Sequence, residues 1–138
     1  MRDEVLMDIR LKGLTDTVHW LGFVPNSAPI LARMSAMIMT SDHEGLPMAV
    51  LEALCLDVPV VSHSVGAIPE VLDHGRFGKL VPSQDPARYA DAIEEVVAEA
   101  SRRTERSTEA SAHIARSFSA ASMANEYLNL YQRITGNS

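Results

Sequence analysis

Residues 37–62 read MIMTSDHEGLPMAVLEALCLDVPVVS. Met37–Thr40 is a short apolar run bounded by polar residues, as a buried strand requires. Pro47 suits a first helical position, and Met48, Leu51, Leu54 and Cys55 repeat at steps of three and four, so a helix is expected from Pro47 to Leu56. Pro59–Ser62 is a second apolar run. Strand, helix, strand in so short a span predicts parallel pairing in an α/β sheet covered on both faces.

The same alternation extends outward. A helix is expected over Asp3–Lys12, closed by Gly13. Thr17–Phe23 is rich in β-branched and aromatic residues and is expected as a strand, with His19 facing a packed helix and Trp20 in the core. Ser27 starts a short helix. Pro69–Asp73 is a further short helix, Gly78–Val81 a strand, and Asp85-Pro86 an N-cap with a first-turn proline. Residues 101–111, SRRTERSTEAS, are polar throughout and are expected as an exposed turn or frayed helix. A last helix is expected over Ala120–Ile134, with Met123, Tyr127, Leu128, Tyr131 and Ile134 inward. The chain is expected to be one partial domain, 1–118 forming the α/β core and 119–138 a C-terminal helix.

Bulk numbers narrow the function. The 138 residues suffice for one domain with a core. A net charge of −6 argues against non-specific nucleic-acid binding, and Arg102–Arg103 is too small a basic patch to reverse that. The single cysteine, Cys55, has no internal partner and is expected as a small buried hydrophobe. The opening residues MRDEVLMDIR carry charges where a signal peptide needs an apolar run. Five scattered histidines do not form a metal-ligand pattern, so no metal site is expected. Ser41 is not in a nucleophile elbow, and no glycine-rich phosphate loop occurs.

Ligands of open parallel sheets bind beyond the carboxyl ends of the strands, which is where Ser41–Pro47 lies. Two carboxylates, Glu44 and Glu52, bracket seven residues there. Gly45 lets a backbone approach a ligand closely. The helix after Pro47 opens with unpaired amides, from Met48 to about Val50, that favour an anion. An acid on either side accepts hydrogen bonds from hydroxyls. A diphosphate with hydroxyl-rich groups on both sides, a nucleotide-diphosphate sugar, satisfies that arrangement.

Glu44, seven residues and Glu52, followed by Ala53, Pro59-Val60-Val61, Val65-Gly66, Ile68-Pro69-Glu70-Val71 and Gly78–Val81, resemble the donor-binding domain of family 4 retaining glycosyltransferases, the glycosyl transferases group 1, of GT-B fold. WLGFVP upstream and MANEYLNLY downstream belong to the same resemblance, which runs from about Arg2 to Tyr131. It implies a Rossmann-like parallel sheet flanked by helices, an incomplete GT-B C-terminal domain lacking its first two strands. It implies transfer of a sugar from a nucleotide-diphosphate donor with retention, in polysaccharide or glycolipid synthesis, without a cofactor or metal. Glu44 would hold a donor-sugar hydroxyl near the reacting carbon and is the candidate catalytic residue; Glu52 would hold the ribose. Amides around Gly45, Leu46, Met48 and Ala49 would meet the sugar and distal phosphate, Phe23 and Val24 would lie near the base, and Gly66 would line the donor site.

The chain departs from the family pattern at Asp57 and Ala67, where glycines are usual. The family's first two strands, their basic Arg and Lys pair and the acceptor domain have no counterpart in these residues, so a fragment or a degenerate remnant is expected. Arg33, Arg76 and Lys79 are expected to be surface charges. With the sheet's centre missing, Thr17–Phe23 would pair beside Met37–Thr40, or an apolar edge would pair with another chain. The alternative function is a non-catalytic remnant that binds nucleotide sugar weakly or not at all. A cytoplasmic location follows from the resemblance, with attachment to the inner membrane face through parts this chain lacks.

Overall fold

The computed structural model describes residues 2–99 and 103–136. Three strands, β1 (Met37–Met39), β2 (Val60–His63) and β3 (Gly78–Val81), form a parallel sheet in the order β1-β2-β3. Met37 pairs with Val60, and Val60 with Gly78. The helices are α1 (Arg2–Leu11), α2 (Ala28–Leu31), α3 (Met48–Cys55), α4 (Ile68–Val71), α5 (Pro86–Ala98), α6 (Arg103–Ser117) and α7 (Ala120–Thr135), with a 3-10 turn at Asp73–Gly75.

β2 explains why its sequence reads as an unbroken apolar run. It is the middle strand, and Val60, Val61 and Ser62 are each 0% exposed. Val60 faces a cluster with α3, α4, Phe77 and, from α6, Ala110 and Ile114. Val61 faces the opposite cluster with Val81, Tyr89 and Val96 of α5. Gly78 allows the close β2–β3 approach, since a side chain there would press on the Val60 carbonyl.

α5 starts as its sequence dictates: the Asp85 carboxylate accepts from the Ala87 amide at 3.0 Å, and Pro86 fills the first turn. α3 ends in a Schellman motif, with Asp57 N–H donating to Leu54 O and Val58 N–H to Ala53 O. Asp57 occupies the left-handed position, φ 58°. Aspartate enters that region at a cost glycine does not pay.

Several expectations fail, each for a packing reason. Thr17–Phe23 is not a strand and does not pair beside β1. A strand needs a neighbouring ladder, and none is supplied to this segment. Trp20 is 48% and Phe23 91% exposed, and His19 is exposed as well. α3 buries Val50, Leu51, Ala53 and Leu54 rather than Met48 and Cys55, both of which are exposed. So many of its positions are apolar that spacing alone does not select a face; buried Pro47 and Val58 at its two ends do.

Residues 103–111, within the segment expected as a turn or frayed end, belong to α6. Ala110 and Ile114 seat that helix on the core, with Phe118 just beyond it. Residues 101 and 102 lie outside the described residues. α7 starts where expected, with Ser119 as its N-cap and a left-handed Gly136 at its C-terminus. Its apolar stripe, however, faces outward: Met123, Tyr127, Leu128, Tyr131 and Ile134 are all exposed. Among the described residues, no helix is long and apolar enough to cross a membrane.

Candidate functional site

The carboxyl ends of β1 and β2 carry two loops, 40–47 and 64–67, that interlock. Gly66 adopts φ +55°, and a methyl group there would overlap the Glu44 carbonyl oxygen. The Ala67 amide donates to Gly45 O at 3.1 Å. Gly66 therefore acts on Glu44 through backbone contact, whatever else it lines. Ala67 has φ −83°, where alanine is unstrained, so this departure from glycine costs nothing in backbone conformation.

Glu44 is half-buried in this bracket, with Gly45 and Leu46 exposed beside it. Pro47, expected as the first helical residue, is instead the extended N-cap residue of α3 and makes no side-chain cap. Val50 N–H and Leu51 N–H return to the Pro47 carbonyl, at 3.0 and 3.3 Å. The open amides are thus those of Met48 and Ala49, two rather than the three expected. Their direction and the helix dipole favour an anion at this end.

Glu52 lies on the exposed side of α3, one turn after Met48. Its Oε2 accepts from Ser27 Oγ at 3.3 Å. That bond ties the segment carrying Phe23 and half-buried Val24 to α3. The structure thus brings Glu44, Gly45 and Gly66 into contact along one pair of loops, and Glu52 against the turn that follows Phe23 and Val24.

Two of the three basic residues weighed in the sequence are held in ion pairs. Arg76 pairs with Glu109 at 2.8 Å and Asp73 at 3.4 Å. Lys79 pairs with Glu95 at 2.6 Å, and Arg33 is exposed. Among the described residues, no group of three or more His, Cys, Asp or Glu is placed to hold a metal ion.

Sequence reading missed a cluster under the Glu44 loop: Asp42, His63, Gln84 and Tyr89. Gln84 Nε2 lies 2.9 Å from Thr40 O, 2.9 Å from Asp42 Oδ1 and 3.0 Å from His63 Nδ1. Tyr89 Oη donates to Met39 O at 3.3 Å. Burial, and then the Asp42 carboxylate, push the Tyr89 phenol above its ordinary value. No local pattern announces these residues, because they come from four separate segments and meet only through the sheet.

Comparison with known proteins assigns the fold and loops a family. The family model described as "Glycosyl transferases group 1" matches residues 2–99. The chain belongs to this family. It is 30% identical over 118 residues to the lipopolysaccharide core biosynthesis glycosyltransferase LpsE of Rhizobium meliloti (strain 1021), covering 86% of this chain and 35% of that protein. It is 34% identical over 87 residues to N-acetyl-alpha-D-glucosaminyl L-malate synthase of Bacillus anthracis, covering 63% of this chain and 23% of that protein. The match therefore spans only 23% to 35% of the length of these relatives. Sucrose-phosphate synthase from Thermosynechococcus elongatus superposes with a TM-score of 0.81 at 20% identity, over 99% of this chain and 35% of that one. That likeness concerns the fold, a Rossmann-like GT-B C-terminal domain.

Proposed function

We propose that this chain is the donor-binding part of a retaining glycosyltransferase that takes a nucleotide-diphosphate sugar. The observation that carries the reading is the bracket around the start of α3: Glu44 fixed before it by Gly66 and Ala67, open amides at Met48 and Ala49, and Glu52 one turn in, against the Ser27 turn. The diphosphate sits at the helix start. Glu52 accepts from the ribose hydroxyls and Glu44 from a hydroxyl of the sugar. Phe23 and Val24 lie near the base, and the amides of Gly45 and Leu46 near the sugar. Helix amides and basic side chains, rather than a metal, offset the charge that develops on the leaving diphosphate. The acceptor would be held by parts outside these 138 residues, and transfer would serve polysaccharide or glycolipid synthesis.

Calorimetric titration with uridine, guanosine and adenosine diphosphates and their sugar esters tests this. Glu52→Ala is expected to weaken binding by about 1–3 kcal/mol, the loss of charged hydrogen bonds. Equal heats for wild type and variant would remove Glu52 from the ribose. Chelator added to the cell should leave the affinity unchanged.

A second reading has its own observation. β1 is an edge strand, Met37 N–H already donates inward to Pro59 O, and Ile38 is 48% exposed. Alternation along the ladder turns the Ile38 backbone groups outward. In this reading the chain is an interaction module that pairs with another chain along that edge. Light scattering decides: a concentration-independent monomer removes it.

A further inference from the structure

Four successive residues leading to Glu44 are each gripped from another element. Met39 O accepts from Tyr89 Oη on α5. Thr40 O and Asp42 Oδ1 lie 2.9 Å from Gln84 Nε2, in the loop between β3 and α5. Ser41 O lies 3.3 Å from His63 Nδ1, at the end of β2. The Gln84 nitrogen also lies 3.0 Å from His63 Nδ1, so three acceptors surround a group with two hydrogens.

The tautomer of His63 sets how these hydrogens are shared. If His63 carries its proton on Nδ1, it donates to Ser41 O, and Gln84 gives one hydrogen to Thr40 O and one to Asp42. Three hydrogens then meet three oxygens on three consecutive residues, but the Gln84 nitrogen and His63 Nδ1, 3.0 Å apart, face each other as two donors. With the proton on His63 Nε2, Gln84 must spend a hydrogen on the ring, and two oxygens lose donors. With the amide reversed, its oxygen would face a carbonyl and a carboxylate.

We propose that Gln84 is the positioning residue of the Glu44 loop. It holds residues 40–42 from beneath, while Gly66 and Ala67 hold Glu44 and Gly45 from the other side. Between the two anchors only His43 and the Glu44 side chain are left to turn. The consequence for ligand rests on the donor-binding reading: the clamp fixes where Glu44 meets the sugar, and leaves the nucleotide end, at Glu52, alone. Gln84 thus sets how strongly the sugar ester is preferred over the bare nucleoside diphosphate.

Gln84→Glu is the sharp variant, because it keeps the size of an exposed side chain and removes both hydrogens; Gln84→Ala accompanies it. In the free chain, backbone nitrogen relaxation should show lower order parameters at residues 40–45 and unchanged ones in β2 and β3. Calorimetry should show the sugar ester weakened about tenfold, the loss of one charged hydrogen bond, and the nucleoside diphosphate unchanged. Unaltered order at 40–45, or equal weakening of both probes, overturns the proposal. If the wild-type chain binds neither probe, the donor-binding reading fails, and the order parameters alone decide whether Gln84 clamps the loop.

Discussion

The part of the molecule around β2 and the part before residue 35 use similar residues to different effect. Around β2, Val50, Val60, Val61, Ile68, Val71 and Leu72 are wholly enclosed. Before residue 35, Val18, Trp20, Leu21 and Phe23 stay exposed, and α1 buries nothing. Apolar character creates a demand for burial, but it does not supply the surface that meets it. β2 finds a strand on either side and helices on both faces; Thr17–Phe23 finds neither. α7 repeats the lesson with an amphipathic helix whose apolar stripe remains bare.

The contrast gives a first prediction, and the largest. Ile68→Ala should cost about 3–4 kcal/mol in urea or thermal unfolding, since Ile68 is 0% exposed in the main cluster. Phe23→Ala, although it deletes a larger side chain, should fall within about 0.5 kcal/mol of wild type. A large loss at Phe23 would show that the open part is packed in solution and break the comparison. Gly66→Ala should follow, at about 2 kcal/mol, because it combines a left-handed residue with overlap on the Glu44 backbone. Its crystal or nuclear resonance signature should be a displaced Glu44, which separates it from a simple core defect.

Asp57→Gly works in the opposite direction. It relieves the left-handed φ of 58° at the end of α3 and should stabilise by about 0.5–1 kcal/mol. No gain there would mean that Asp57 makes up the cost through its local side chain. The smallest effect is alkaline. Tyr89 holds its proton longer in the folded chain than in the unfolded one, chiefly through burial and then through Asp42. The stability this gives is fully present below the ordinary tyrosine range and falls as pH rises through about 10 toward the folded value. Wild type should therefore lose stability relative to Tyr89→Phe above about pH 10; parallel pH profiles would remove Tyr89 from the end of β1.

Much of the compact part was legible in the sequence. Met37–Thr40, Pro59–Ser62 and Gly78–Val81 lie within a residue of β1, β2 and β3, because short apolar runs between turn residues have few other uses in an α/β chain. The start of α5 was legible because its cap is local. The facing of α3 was not, since apolar residues on several sides leave periodicity without a preference. α6 was hidden because its polar first turns precede Ala110 and Ile114, which do the anchoring. At the site, Glu44, Glu52 and the opening of α3 could be picked out by their spacing. Gln84, His63 and Tyr89 could not, because each is ordinary where it stands in the chain and gains meaning only across the sheet.

Trp20 is the chain's single indole, and it stands in the open part, three residues before Phe23. Its emission would therefore follow events at that surface, such as a base or a neighbouring polypeptide coming to rest there. Melting of the β2 core would leave that colour nearly unchanged, so a fluorescence trace and a circular dichroism trace of the same sample would report on different parts of one molecule.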